Sequence, residues 1–543
     1  MSVPVTKTLM VALVGVMAAC AGVPGPDTIL VNGKVFTANA QAPWAQAIAI
    51  SGERITAVGD TATIAALARD NTRRVDLGGR TVVPGFNDAH THITIAPPSA
   101  QLSLPFDPTL EQIADALRAQ VKTTAADRWI RGDFGQAAWG QVSFTREWLD
   151  VLAPNHPVFL SAFTGHGAVL NSRALALIKF DDQTSGVEGG VIERGPDGHI
   201  DGRLEEYAIA YANQRLAELA GHDEAVRRYQ QYAAEARAFG ITSTQLLGDA
   251  LRSVDASKAL VAAGAPMRWR YFRYPIGAGG ETIDSRPPLP PQPAPMIEMR
   301  GMKWILDGTP IERLAFMRAP YSDEPSLRGR LNLTRSRIDQ FVGWAYGSED
   351  PLAVHAIGDA AIETYVAAVE RGGRPEVWKQ KRPRIEHADM LAPDLIPRVK
   401  AMGMLVVQNP THVTFPEVFL ERYGKERLEW MQPLKSLIDA GIPLAFGSDG
   451  PMSPFANILA ASTHPTNPKE ALTREQAVTA YTAGAAFAEF KEPEKGQIAV
   501  GLLADLAVLS ADVFSVPVSE MERIRSVMTM LGGRVVHETG AVR

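Results

Sequence analysis

Two rhythms of apolar and polar positions divide this chain. From Asp27 to Pro84, "TILVNGKVFTA", "AQAIAISGERITAVG" and "TRRVDLGGRTVVPGF" carry β-rich residues bounded by Asn-Gly, Ser-Gly-Glu and Gly-Gly turns, a pattern of short strands. The C-terminal "KGQIAVGLLADLAVLS" and "IRSVMTMLGGRVVHETG" repeat it. Two strand-rich ends around a long mixed middle predict one small β-sandwich assembled from residues 27–85 and 490–543.

The middle alternates between helical and strand-like segments. "TLEQIADALRAQVKTTA" and "HDEAVRRYQQYAAEARAFG" space their apolar residues by three and four, as helices do. Between such stretches stand "VVPGFNDAHTH", "ITSTQLLG", "MRWRYFRYP", "GMKWILDG", "PLAVHAIGD", "PRIEHADML", "GMLVVQNPTH" and "IPLAFGSDGP". Eight short apolar runs alternating with helices predict an α/β fold, a (β/α)8 barrel over residues 86–489. The first two runs are separated by a surplus from about Ile95 to Gly240, far more than one crossover needs. It holds its own strand-like "HPVFLSAFTGHGAVLN" and a Gly-rich turn region, and is expected to cap the barrel mouth as an insertion. "SRPPLPPQPAP" predicts an extended loop.

Composition changes the picture little. Of 543 residues 46% are apolar and 21% charged, with a net charge of -6 and no basic stripe interleaved with aromatics. Nucleic acid is therefore not an expected partner; a small molecule is, and a homo-oligomer is compatible with the sequence. The N-terminus does stand apart. "MSVPVTKTLMVALVGVMAACAG" has an apolar run from Leu9 to Ala19, too short to span a bilayer but suited to a signal-peptide core. Cys20, the single cysteine, follows Met-Ala-Ala as in a bacterial lipoprotein cleavage box, which would make residues 1–20 a signal segment and Cys20 the lipidated residue. Export with membrane attachment through that lipid alone is the expected localisation; plain secretion with a cut near Ala19 or Ala21 is the alternative.

Candidate chemistry sits at the ends of the eight runs. His90 and His92 lie one residue apart on the first, so in a strand both project to one face. Lys303 lies on the fourth, His355 on the fifth, His387 on the sixth and Asp449 on the eighth. Taken singly these are ordinary: a histidine pair at a strand end, a core imidazole, a turn aspartate. Taken together they are ligand-type residues at the end where such barrels carry their active sites. A lysine inside an apolar strand is costly unless paired or modified.

The order "DAHTH", strand Lys, "HAIGDAAI", "RIEHA" and "GSDGP" resembles the amidohydrolase superfamily, and within it the YtcJ-type amidohydrolases related to N-substituted formamide deformylase. "TGHGAVLNSRAL", "DGRLEE" and "KWILDGTP" followed by "APYSD" carry the closer likeness. The resemblance implies a metal centre of one or two divalent ions, zinc foremost. His90 and His92 would bind one ion, His355 and His387 the second, with Lys303 carboxylated as the bridge and Asp449 on the first. It further implies hydrolysis of an amide or N-formyl carbon–nitrogen bond by a metal-activated hydroxide, with Asp449 as proton shuttle. Ester or lactone hydrolysis, or deamination, on the same centre is the alternative. Gly450 departs from the bulky aromatic often found there in the subgroup. His166, Asn171 and Glu205 in the insertion, and Gln408 and His412 near the seventh strand's end, are candidate substrate contacts.

Overall fold

The structure, a computed structural model, describes residues 25–184, 186–248, 250–275 and 290–542. The signal segment, Cys20 and the start of the Pro-rich segment lie outside the described residues. Eight parallel strands form one sheet in sequence order: Phe86–Thr91, Ile241–Gly248, Arg268–Arg273, Met302–Ile305, Leu352–Ala356, Arg384–His387, Leu405–Gln408 and Leu444–Phe446. Each coincides with one of the eight apolar runs. The last strand returns to the first through Ser448, whose N and Oγ donate to the Asp88 carboxylate at 2.8 and 2.6 Å, and through Asp449 N, which donates to His90 O at 2.9 Å. Glycine is required at position 447, because a Cβ there would sit 2.4 Å from His90 N. The protein is thus an α/β barrel of the expected class.

Buried polar residues are threaded through the barrel in one connected chain. Lys495 Nζ and Asn87 Nδ2 both lie 2.6 Å from Glu489 Oε1. Gln245 Nε2 donates to Asn87 Oδ1 at 3.5 Å, and Arg384 Nη1 donates to Gln245 Oε1. The chain ends on Glu386, which receives Arg384 Nε at 2.7 Å and Nη2 at 3.0 Å. Arg384, Glu386 and Gln245 are fully buried, so each group must find its partner inside the protein.

Both termini build the sandwich. One sheet orders Arg54–Gly59, Ala47–Ser51, Thr28–Val31 and Arg73–Asp76; the other orders Arg534–Glu538, Ser526–Leu531, Leu506–Leu509, Thr81–Pro84, Lys34–Phe36 and Trp44–Ala45. Leu30, Ile48, Ile50, Val82, Leu506 and Met528 from the two sheets share one core. Strand Thr81–Pro84 runs directly into the first barrel strand, which fixes the sandwich to the barrel.

The inserted segment folds around its own six-stranded sheet, ordered Gly190–Arg194, Ile200–Glu206, Gly167–Leu170, Val158–Ala162, Trp129–Phe134 and Ser99–Gln101. Its helix Leu110–Thr123 starts with a capping box in which Thr109 and Gln112 satisfy each other's backbone amides. The insertion's sheet ends at Glu206, earlier than the surplus in sequence suggests. Helix His222–Ala238 belongs to the barrel's outer layer, since its Tyr229 and Tyr232 rings each pack 5.7 Å from Trp269 on the third barrel strand.

Candidate metal centre and pocket

At the strand ends, Asp449 is the point on which imidazoles converge. Its Oδ1 lies 3.6 Å from His90 Nε2 and 3.5 Å from His92 Nε2; its Oδ2 lies 3.7 Å from His387 Nδ1 and 3.7 Å from His412 Nε2. His90, His387 and Asp449 each offer a ligand atom within 4.8 Å of the others, a spacing that could hold a metal ion. Lys303 Nζ reaches to 3.4 Å of His90 Nε2, and the His355 ring lies 4.4 Å from that of His387. His355 Nε2 is a buried ring nitrogen with no hydrogen-bond partner, 3.8 Å from Asp307 Oδ1, and is free in geometry to act as a donor. The donor set, imidazole nitrogens with a carboxylate, fits zinc and its neighbours.

Groups behind the imidazoles fix their orientation. Glu386 Oε2 lies 2.7 Å from His90 Nδ1, so the other ring nitrogen, Nε2, faces Asp449 and Lys303. Asn409 Oδ1 lies 2.8 Å from His387 Nδ1. Such partners set which ring nitrogen is presented. The backbone here is strained: His387, Ala388 and Asp449 all have positive φ, at 69, 52 and 39°. Non-glycine residues held there cluster at functional sites.

Electrostatics divide the centre. Burial, helped by Lys303 and the neighbouring imidazoles, holds His90, His355 and His387 well below the usual histidine range, so they are neutral donors at pH 7. Burial would raise the Asp449 carboxyl, but the basic groups around it outweigh burial and bring it to about 2. His166 goes the other way. Burial opposes its charge, yet the Glu206 carboxylate, with both oxygens 3.0 Å from Nδ1, carries it up to about 9.

Of the five candidate substrate contacts, two reach the centre. His166 packs its ring 4.7 Å from His355, and His412 stacks 5.4 Å from His387 while its Nδ1 lies 3.2 Å from Asp389 Oδ2. The structure places the other three away from the pocket wall, and corrects their expected role. Asn171 is fully buried as the N-cap of Ser172–Leu177; its amide serves Ala174 N, Val158 N, Ala153 O and His156 O. Glu205 pairs with Arg330, and the adjacent Glu206 is the residue that meets His166. Gln408 is fully buried with both amide atoms unpartnered, while the adjacent Asn409 meets His387. Both misplacements are slips of one residue. For Glu206 a signal existed: strand Ile200–Glu206 buries alternate residues, and Glu206 shares the buried phase of Leu204. Glu386, Asn409 and Asp389 carried none beyond proximity to a candidate ligand.

Above these groups lies a pocket of about 950 Å³, which continues along helix Pro454–Thr463 toward Val518. His166, His355, His387, His412 and Asp449 form its polar end, and Phe106, Phe163, Phe415 and Phe419 line it as well.

The fold is thus a barrel with histidines and an aspartate gathered at its C-terminal mouth below a pocket, an arrangement that could hold a metal ion. The amidohydrolase family model matches residues 73–537, and the chain belongs to that family. It is 29% identical to the inferred amidohydrolase YtcJ of Bacillus subtilis (strain 168), over 86% of this chain and 91% of that protein. It is 27% identical to the N-substituted formamide deformylase of Arthrobacter pascens, over 94% and 98%. In fold it is similar to an uncharacterized metal-dependent hydrolase from Pyrococcus horikoshii OT3, with a TM-score of 0.69, 21% identity, and 91% and 99% of the two chains covered.

Proposed function

We propose that the protein hydrolyses an amide-type carbon–nitrogen bond of a small molecule, at a centre of one or two divalent ions, zinc foremost. The ligands in this reading are His90, His92, Lys303, His355, His387 and Asp449. The observation that carries it is the grouping of His90, His387 and Asp449, whose ligand atoms lie within 4.8 Å of one another, with His92 Nε2 3.5 Å from Asp449 Oδ1. The buried His355 Nε2, which makes no hydrogen bond, and the 27% identity to an N-substituted formamide deformylase support it.

A divalent ion held by these residues would lower the pKa of water toward 7 and polarise a carbonyl. The chain's own groups do the rest. Asp449 takes a proton from the nucleophilic water and returns it to the leaving nitrogen. His166, its Nδ1 engaged by Glu206, and His412, its Nδ1 beside Asp389, direct their remaining ring nitrogens into the pocket and orient the scissile group. Lys303 is buried among the imidazoles; adding carbon dioxide to Nζ with loss of a proton makes it an anionic two-oxygen ligand. Attachment through lipid on Cys20 completes the reading, with the unique cysteine placed straight after a short apolar run in its support.

A panel of N-formyl, N-acyl, ester and lactone substrates tests the chemistry. Turnover confined to esters or lactones would replace the carbon–nitrogen reading with the alternative. Fractionation of cells expressing wild type and Cys20→Ser tests the anchor. Loss from the membrane fraction in the variant is expected, and wild type wholly in the soluble exported fraction would overturn it.

A further inference from the structure

One side chain crosses the barrel interior beneath the metal centre. Arg384 stands on the sixth strand, whose neighbours in the sheet are the fifth and the seventh. Its guanidinium nevertheless reaches the first and second strands, donating from Nη2 to Ala89 O at 2.8 Å and from Nη1 to Gln245 Oε1. Nε at 2.7 Å and Nη2 at 3.0 Å also bind the two oxygens of Glu386, two residues along its own strand. The planar fork is thereby fixed from three strands, and it lies 4.7 Å over the Phe272 ring. A carboxylate gripped at both oxygens is held in one orientation, and Oε2 is the atom that meets His90 Nδ1 at 2.7 Å.

The network continues from Arg384 toward the starts of the strands. Gln245 Nε2 donates to Ala485 O at 2.9 Å and bridges to Asn87, which in turn donates to Glu489. Lys495 Nζ closes it, 2.6 Å from both Glu489 Oε1 and Ser243 Oγ. Glu489 and Lys495 belong to the stretch that leads from helix Ala485–Ala488 to the sandwich strand Leu506–Leu509. Such barrels ordinarily fill their interior with branched apolar side chains. Replacing a buried ion pair by apolar side chains of similar volume is often neutral or stabilising. Stability alone therefore gives no reason for Lys495, Glu489, Arg384 and Glu386, none more than 6% exposed; fixed hydrogen-bond direction does. We propose that Arg384 is a positioning residue of the metal centre, holding Glu386 so that His90 presents Nε2, with Glu489 and Lys495 as the foot that seats it. The inference rests on the metal-centre reading of the strand ends.

The test uses the full chain and two readouts besides activity. Zinc affinity is measured by competition with a chromophoric chelator, and the visible absorption of cobalt-loaded protein reports the geometry around the ion. Arg384→Met should lose about 10–100-fold in zinc affinity, the scale for removing support behind a ligand, and should shift the cobalt spectrum. Arg384→Lys keeps the charge without the fork and should recover little of either. The double variant Arg384→Met, Glu386→Gln should lose no more zinc affinity than Glu386→Gln alone, because the guanidinium acts through that carboxylate. Removing the foot with Glu489→Gln and Lys495→Met together should give a smaller loss and a spectral shift in the same direction. If Arg384→Met does not fold, Arg384→Lys and the foot variant decide by the same two readouts. Wild-type affinity and spectrum in the folded Arg384 variants overturn the positioning role, as do losses that multiply in the double variant. An unchanged foot variant overturns the foot. Wild type that takes up neither zinc nor cobalt fails the metal-centre reading itself, whereas binding that ignores Arg384 fails this inference alone.

Discussion

Glu386 and His90 are locked together inside the barrel, with Oε2 2.7 Å from Nδ1 and neither side chain exposed. Arg384 holds the same carboxylate from behind with two hydrogen bonds. His90 Nδ1–H therefore donates to Glu386, and Nε2 carries the free lone pair. Replacing Glu386 by Gln should lower metal affinity by about 10–100-fold, the usual effect of losing such a partner. Competition with a chelator of known strength measures it. Unchanged affinity would make the pair a structural feature only.

Lys303 is 1% exposed and reaches the His90 imidazole. Lys303→Ala should lose metal and activity together, and short carboxylates in the buffer should restore part of both by supplying the missing oxygens. Full metal content in the untreated variant would end the bridging role.

Asp449→Asn keeps the shape of the side chain while removing its basicity. Turnover should fall about 10²-fold or more, with KM changing much less. Steady-state kinetics on the best substrate of the panel separate the two. Near-normal turnover would reduce Asp449 to the turn residue its Gly-Ser-Asp-Gly context also permits.

Glu205 gives a stability prediction with a sign. Burial pushes its carboxyl up to about 7, against the pull of Arg330. A pKa raised in the folded state contributes stability that is fully present below the unfolded value and is lost as pH rises through the folded one. Its contribution therefore declines between about pH 4 and 7. Wild type should lose thermal stability relative to Glu205→Gln when melts at about pH 4.5 and 8 are compared. A gap that stays constant, or moves the other way, contradicts the assignment.

Much of this was legible in the sequence, for reasons particular residues make plain. Parallel strands buried on both faces read as short continuous apolar runs, so "PLAVHAIGD" and "GMLVVQNPTH" announced themselves, with His355 and the His412 turn at their ends. Choosing between neighbours was harder. Glu205 and Glu206 are told apart only by the burial phase of their strand, and Asn409 lies just past the end of strand Leu405–Gln408, where strand alternation no longer guides the choice. Asn171 stands before "SRALAL" and fits a helix N-cap equally well, which is the role it has. Helix His222–Ala238 falls inside the surplus from about Ile95 to Gly240 yet covers the barrel, because amphipathic spacing looks the same whichever layer a helix covers. The Lys495-to-His90 chain and the Phe106–Phe415 stack join residues hundreds of positions apart, and no local pattern carries such contacts.

In the proposed function, the side chains that hold the metal are also the ones that make carbon–nitrogen hydrolysis possible. Its most direct test is elemental analysis of purified protein beside hydrolysis of the N-acyl panel, before chelation, after it, and after adding zinc back. The account predicts one to two divalent ions per chain, activity that vanishes with them and returns with zinc, and neither in a His90→Ala, His387→Ala double variant. Hydrolysis that persists in fully metal-free protein, or stoichiometric metal retained by the double variant, would contradict it.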